Sequence, residues 1–355
     1  MAAVDLPPET GEWVATLGQE NVRRLSVTLL IDLLNLERDP KRAPQLADDV
    51  ASLAEDLLMG GEYALALEVV EALAARVADR AAVTSTPSRV ALDHLAASVA
   101  TREAAELIEQ MSDEEAGTFA EICGAIGSAA VTALLPELSL EHDTPGRRRA
   151  FRIALGFGAQ AVGRLAALLS SGHWFAQRNA ALLLGQIATP EAVPLLQPLL
   201  RGHDPRVARE AVRALSNIDD PSAARAVHTV LRVTSGHLRR AVIDALVAER
   251  DPRIVPVLVR ILNESEPLGA DHVVVLDTLG AMGTLGPICD GPAIDDIVRL
   301  MRLRRWYGRK KLRSIKEASL QTLRHIGTAA ATSAIEDAAA HGDRLLRRLA
   351  RAIPT

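Results

Sequence analysis

Between Arg299 and Lys316 the chain reads RLMRLRRWYGRKKLRSIK, with nine cations, no acid, and two of its nine aromatic residues, Trp306 and Tyr307. Cations interleaved with aromatics neutralise phosphates and stack on bases. Arg and Trp are equally the residues that anchor protein–protein interfaces. The plain alternative is a lengthened loop between helices, its charges solvated. All three readings stay open on the sequence, and the candidate residues are Arg299, Arg302, Arg304, Arg305, Trp306, Tyr307, Arg309, Lys310 and Lys311.

Other chemistry-bearing residues are scattered. No two of the nine histidines lie three or four positions apart, and no HExxH or Cys/His cluster exists, so no metal site is expected. Gly156-Phe157-Gly158 and Gly280-Ala281-Met282-Gly283 have GxG-like spacing but follow helical patterns, where glycine ends a helix rather than cradling a phosphate. Asp219-Asp220 and Asp295-Asp296 fall beside helix starts, where capping and dipole roles account for them. No GxSxG elbow, P-loop or triad order is visible. The sequence therefore points to no catalytic residue, no cofactor and no enzyme.

The elements that must carry the basic segment repeat. Leu155-Gly156, Leu184-Gly185, Leu215-Ser216, Leu246-Val247, Leu279-Gly280 and Leu323-Arg324 recur at steps of 29, 31, 31, 33 and 44 residues. A period in this range means a stacked array. Asp204-Pro205, Asp220-Pro221, Thr189-Pro190 and Asp251-Pro252 each read as an N-cap followed by proline at the first helical position. The unit is helix, tight turn, helix. The step of 44 places surplus residues around Gly286–Gly291 and after Leu303.

Residues 178–200, 209–231 and 317–339 carry a resemblance to HEAT-repeat proteins, specifically the short bacterial, phycobilisome-lyase-like variety. The resemblance covers about 120–350. It implies an all-α, right-handed α-solenoid of HEAT-like hairpins and a scaffold or adaptor role. It also implies that second helices line the inner surface. Aligning Leu200, Leu231, Leu262 and Met301 puts Arg201, Arg232, Asn263 and Arg302 in one register, with Pro198, Thr229, Arg260 and Arg299 three positions earlier. Arg232 and Arg260 would then extend the basic segment into a ladder, unless these arginines only complement helix C-termini.

Residues 1–111 are helical but off period, and read as a divergent cap on a 112–355 array or, alternatively, as a separate small helical domain. Val14–Glu37 suggests one long helix, Gln45–Met59 and Glu62–Asp79 a hairpin turned at Gly60-Gly61, and Ser88–Met111 a further helix. Ser112 to Glu115 reads as a capping box. Residues 1–140 hold 9 Lys/Arg against 24 Asp/Glu, and residues 141–355 hold 31 against 21. That split suggests a basic surface or two mutually attracting halves. The start has no basic leader, no run reaches about 18 uninterrupted apolar residues, and Cys123 and Cys289 are far apart. A cytoplasmic scaffold with an acidic protein partner is the leading expectation. Nucleic-acid binding is the second, and a phycobilin-lyase-like enzyme the third.

Overall fold

The computed structural model describes residues 8–202, 204–248, 250–305 and 307–352. Trp306, one of the candidate residues, lies outside them. The described residues form twenty α-helices and six short 3-10 turns, with no strand. The chain is all-α and divides into two compact units, 1–167 and 168–355.

In the first unit α1 (Pro8–Leu36) precedes the hairpin of α2 (Ala43–Met59) and α3 (Tyr63–Ala78). Gly61 turns that hairpin at φ +72°, a conformation that costs glycine little. The stretch expected as one helix from Ser88 is two, α4 (Ser85–Ala97) and α5 (Val99–Glu106). Ser98 breaks it by adopting an extended backbone, and its hydroxyl accepts the Thr101 amide. Next come α6 (Asp113–Ile126), α7 (Val131–Leu138), α8 (Pro145–Gly156) and α9 (Val162–Leu169), the last running into the second unit. The capping box opening α6 is formed by Ser112 and Glu115 as expected. Arg149 of α8 ties this region together, donating to the carbonyls of Ile108 and Met111, both at 2.7 Å, and pairing with Asp113.

The second unit holds α10 (Trp174–Ile187), α11 (Val193–Leu196), α12 (Pro205–Asn217), α13 (Pro221–Val233), α14 (Gly236–Val247), α15 (Ile254–Glu264), α16 (His272–Leu285), α17 (Pro292–Met301), α18 (Arg309–Ile326), α19 (Ala329–His341) and α20 (Arg344–Ala352). Two layers result. First helices α10, α12, α14, α16, α18 and α20 stack on one another, and second helices α13, α15, α17 and α19 form the other layer. The repeat marks Gly185, Ser216, Val247, Gly280 and Arg324 each sit late in a first helix, and the leucine before each is buried. Leu200, Leu231, Leu262 and Met301 are buried as equivalent core positions of the second layer.

Local chemistry explains where the units differ. Asp204 and Asp220 cap α12 and α13 through the amides of Arg206 and Ser222. Asp251 accepts from Arg253 N–H and grips the Arg253 side chain just as Asp204 holds Arg206, yet α15 begins only at Ile254. Pro194 and Pro198 remove two amide donors, leaving α11 one turn long before a 3-10 turn takes over. Gly280 and Gly283 lie inside α16 rather than at its end; the left-handed turn falls to Gly286, at φ +64°.

The surplus of the long step is not an extended loop. Residues 286–289 form a 3-10 turn, 302–308 a short connection, and α18 starts a full turn further ahead of its mark than α10, α12 and α14 do. His272–Cys289 is the one continuous helical stretch among the described residues long and apolar enough to cross a membrane, with mean hydropathy 1.3. It packs between α14, α15 and α18, and 56% of it is buried.

Candidate partner-binding surface

Arg299 closes α17, where a cation suits the helix dipole. Its guanidinium donates to the Asn263 side chain and lies 3.2 Å from Asp296 one turn earlier. Arg302, just beyond the helix, pairs with Asp337 of α19. The hydrogen bond from Arg302, followed by that from His341, holds the Asp337 carboxyl below its usual range. Arg232 ends α13, with Nε 2.8 Å from Asp271 Oδ1. That carboxyl is buried, and Oδ1 has no aligned donor, so the contact is ionic rather than a directed hydrogen bond. Arg260 is half-buried on α15, close enough to Asp220 to add to the Ser222 hydrogen bonds that lower its carboxyl.

The connection 302–308 and the first turn of α18 differ from this paired set. Arg304, Arg305, Arg309 and Lys310 are exposed, and none of their side chains has a hydrogen-bond or ion-pair partner among the described residues. Lys311 is committed to structure: its ammonium donates to the carbonyls of Leu268 and Gly269, at 3.1 and 2.8 Å. Gly308, at φ +67°, is the N-cap of α18 and supplies no side-chain cap, and the first turn has no acid. Cations therefore crowd the positive end of a helix dipole, the reverse of the stabilising arrangement.

A cleft of about 520 Å³ opens beside this turn. Leu262, Ser265 and Glu266 form one wall, Leu300 and Leu303 another, and Arg299, Arg305 and Tyr307 line it as well. Arg302 and Arg304 instead face a second cleft of about 370 Å³ with Asp337, His341 and Asp343. The basic segment is thus split between two clefts, while Arg232 and Lys311 meet on the 265–271 loop and Arg260 stands apart.

Ser265, His228 and Asp271 form a buried polar cluster that invites comparison with a catalytic relay. Ser265 Oγ lies 3.2 Å and Asp271 Oδ2 3.9 Å from the same ring nitrogen, His228 Nε2. A relay needs the acid on one nitrogen and the nucleophile on the other. Ser265 Oγ also donates to the Ile261 carbonyl, at 2.6 Å. The arrangement fits a packed hydrogen-bond network joining α13 to α15 and the 265–271 loop.

One surface feature lay unread in the sequence. His173, Trp174 and Phe175 are three consecutive rings in an aromatic-poor chain, and the Arg206 guanidinium lies 3.3 Å from the Trp174 ring centroid. Arg206 is also clamped on Asp204, so the ring face is already occupied by a fixed cation.

The family pattern described as HEAT repeats matches residues 161–246 and 199–274. No curated protein matches the chain significantly. Among solved structures, an engineered protein is 18% identical over 92% of this chain and 97% of its own, with a TM-score of 0.26. Human deoxyhypusine hydroxylase in complex with glycerol is 17% identical over 63% and 94%, with a TM-score of 0.29. Kap121p bound to Pho4p is 14% identical over 91% of this chain, which spans 39% of that protein, with a TM-score of 0.33. None of these likenesses is close enough to carry a functional argument. The matched pattern places HEAT repeats at residues 161–274, and the two-layered stacking of helical hairpins there belongs to an all-α solenoid fold.

Proposed function

We propose that this protein is a non-enzymatic scaffold whose second unit holds an acidic segment of a protein partner. The observation that carries the reading is the unpaired cation group at the start of α18, Arg304, Arg305, Arg309 and Lys310, set at an uncapped helix N-terminus beside a cleft. Cations placed there cost stability in the free chain, and an anionic partner reverses the sign of that cost. Trp306 and Tyr307 belong to the same segment and supply apolar contact. Arg305 would meet a carboxylate in the cleft, whose wall Arg299 shapes while held against Asn263 and Asp296. Arg232, Arg302 and Lys311, already engaged internally, would shape the surface rather than bind. The divergent helical region 1–111 acts in this reading as the cap of a 112–355 array, and the protein works in the cytoplasm.

A nucleic-acid track is the weaker reading. It needs successive free cations along the second-layer helices, whereas Arg232, Arg299 and Arg302 each sit against an acid. The test is affinity purification of the full chain from its native cell, compared with Arg304→Glu, Arg305→Glu, Arg309→Glu, Lys310→Glu combined. Loss of protein partners by the charge-reversed chain is expected. Retention of every partner sinks the placement. A salt-sensitive gel shift that the same four changes abolish would favour nucleic acid instead.

A further inference from the structure

The opposite charges of the two halves of the sequence concentrate at two places. α20 reads RLLRRLARA, four arginines and no acid. At about 100° per residue Arg344, Arg347, Arg348 and Arg351 fall within an arc of about 100°. That arc is centred about 130° from buried Leu346 and Ala350, on the side where the helix packs on α18 and α19. All four arginines are exposed, and none of their side chains has a hydrogen-bond or ion-pair partner among the described residues. Asp337 and Asp343, just ahead of the helix, are taken by Arg302 with His341 and by Lys316. Glu336 of α19 pairs with none of the four. The face is about 11 Å long. It sets Arg344 against Arg347 and Arg348, and Arg351 against the same two, like-charge neighbours that are unfavourable in the free chain.

The first unit carries the complement. Glu103, Glu106 and Glu109 follow one another along α5 and the 3-10 turn after it, a row of about 10 Å, exposed and without an ion-pair partner among the described residues. A methyl group at Gly146 would lie 2.9 Å from Glu109 Cβ and 2.8 Å from Glu137 Oε2, so Glu137 of α7 meets the far end of the row. Glu137 Oε2 has no hydrogen-bond partner. Burial, then Glu109 and Glu106, push that carboxyl up. Nearby cations do not relieve the row: Arg149 is spent on backbone carbonyls and Asp113, and Arg102 makes no ion pair with Glu106 one turn on. The arginine face and the glutamate row are thus of similar length and opposite sign, and both repel themselves in the free chain.

We propose that this protein associates head to tail, the arginine face of α20 on one copy docking against the Glu103, Glu106 and Glu109 row of another. A second copy is the occupant because the chain itself carries the counter-charge, matched in sign and length. The two surfaces differ, so the contact is heterologous rather than one patch meeting itself. Exposed ion pairs are individually weak and screened by salt, so the association is reversible and confined to low ionic strength. It uses none of the free cations at the start of α18.

Sedimentation velocity of the full chain from about 1 to about 500 µM should show association in about 0.02 M salt that disappears at about 0.5 M. Reversing the face with Arg344→Glu, Arg347→Glu, Arg348→Glu and Arg351→Glu together should weaken it at least about tenfold. Reversing the row with Glu103→Lys, Glu106→Lys and Glu109→Lys should do the same. An equal mixture of the two reversed chains should regain the association, because a reversed face then meets a reversed row. Carbodiimide coupling checks the contact in a chain whose charge is kept. In Arg348→Lys the new amine should join to Glu103, Glu106 or Glu109 in a product of two chains. Reversing Arg304, Arg305, Arg309 and Lys310 should leave the association unchanged, which separates it from the acidic partner proposed for α18. A chain monomeric at every concentration in low salt overturns the proposal. So does association that the reversed face leaves intact, a mixture no stronger than its parts, a coupled product of one chain only, or association lost on reversing the α18 group.

Discussion

Gly185 and Gly280 hold the same register in the repeat, yet the structure gives them opposite reasons for being glycine. A Cβ at 185 would lie 2.6 Å from Ala214 Cα and 2.7 Å from Ala214 Cβ. Ordinary carbon contacts need about 3.5–4.0 Å, so α10 and α12 would have to part by about 1 Å. The obstacle is backbone, not a side chain that can swing away. The upper end of the usual overpacking cost applies, about 3 kcal/mol. Alanine returns about 1 kcal/mol of helix propensity, for a net loss of about 2 kcal/mol. At Gly280 nothing lies within 4 Å of the added methyl, and the position is exposed inside α16. Gly280→Ala should therefore gain about 1 kcal/mol. Urea unfolding followed by circular dichroism measures both. Because arrays lose stability unit by unit, hydrogen exchange of α10 and α12 amides localises the first effect. A Gly185→Ala chain as stable as its parent would refute the claim that close helix approach, rather than local backbone, selects glycine at this mark.

Three further outcomes follow from polar side chains that the fold engages. Lys316 is fully buried and its ammonium is held by Asp343. Asp343→Ala should cost about 3 kcal/mol by leaving that charge unpaired, measurable as a lowered urea midpoint. Burial works to raise the Asp343 carboxyl, but hydrogen bonds from Lys316 and the Leu346 amide, with the lysine charge, leave it lowered. Its stabilisation is therefore complete above about pH 5 and fades as pH falls through its depressed value. The melting-temperature gap between parent and Asp343→Asn should close there. Asp277 runs the other way: burial raises its carboxyl against the opposing pull of Arg239 and Arg240. Asp277→Asn should therefore raise the melting temperature at pH 8, and the gain should shrink as pH falls into the carboxylate range. Finally, Ser112→Ala removes the hydroxyl that accepts the Glu115 amide and should cost about 1 kcal/mol.

The period was legible because it reports burial: the leucine before each repeat mark in the second unit is a core residue, one per helical hairpin. Capping chemistry was legible at Ser112, Asp204 and Asp220. It failed at Asp251, whose hold on Arg253 repeats that of Asp204 on Arg206 although its helix starts two residues later. It failed again at Ser98, whose capping geometry splits a run that composition reads as one helix. Gly283 was misread for a different reason. Its role is set by His325 and Thr322 on α18, more than thirty residues away, and no local pattern records that neighbour.

The basic segment was half legible for a reason that separates composition from availability. Nine cations without an acid between Arg299 and Lys316 are plain in the sequence, but the acids that neutralise several of them lie outside the segment. Asp337 on α19 takes Arg302, Asp343 takes Lys316, and Glu317, just past the segment, takes Arg313. Lys311 is spent on two carbonyls of the 265–271 loop. What remains available is a group of four around Trp306 and Tyr307, concentrated at one helix start rather than spread as a ladder. A ladder would neutralise a long, evenly charged polymer, with a salt dependence growing with each phosphate met. A compact group beside a cleft suits a short acidic segment with one apolar anchor, which is why the proposed partner is a protein.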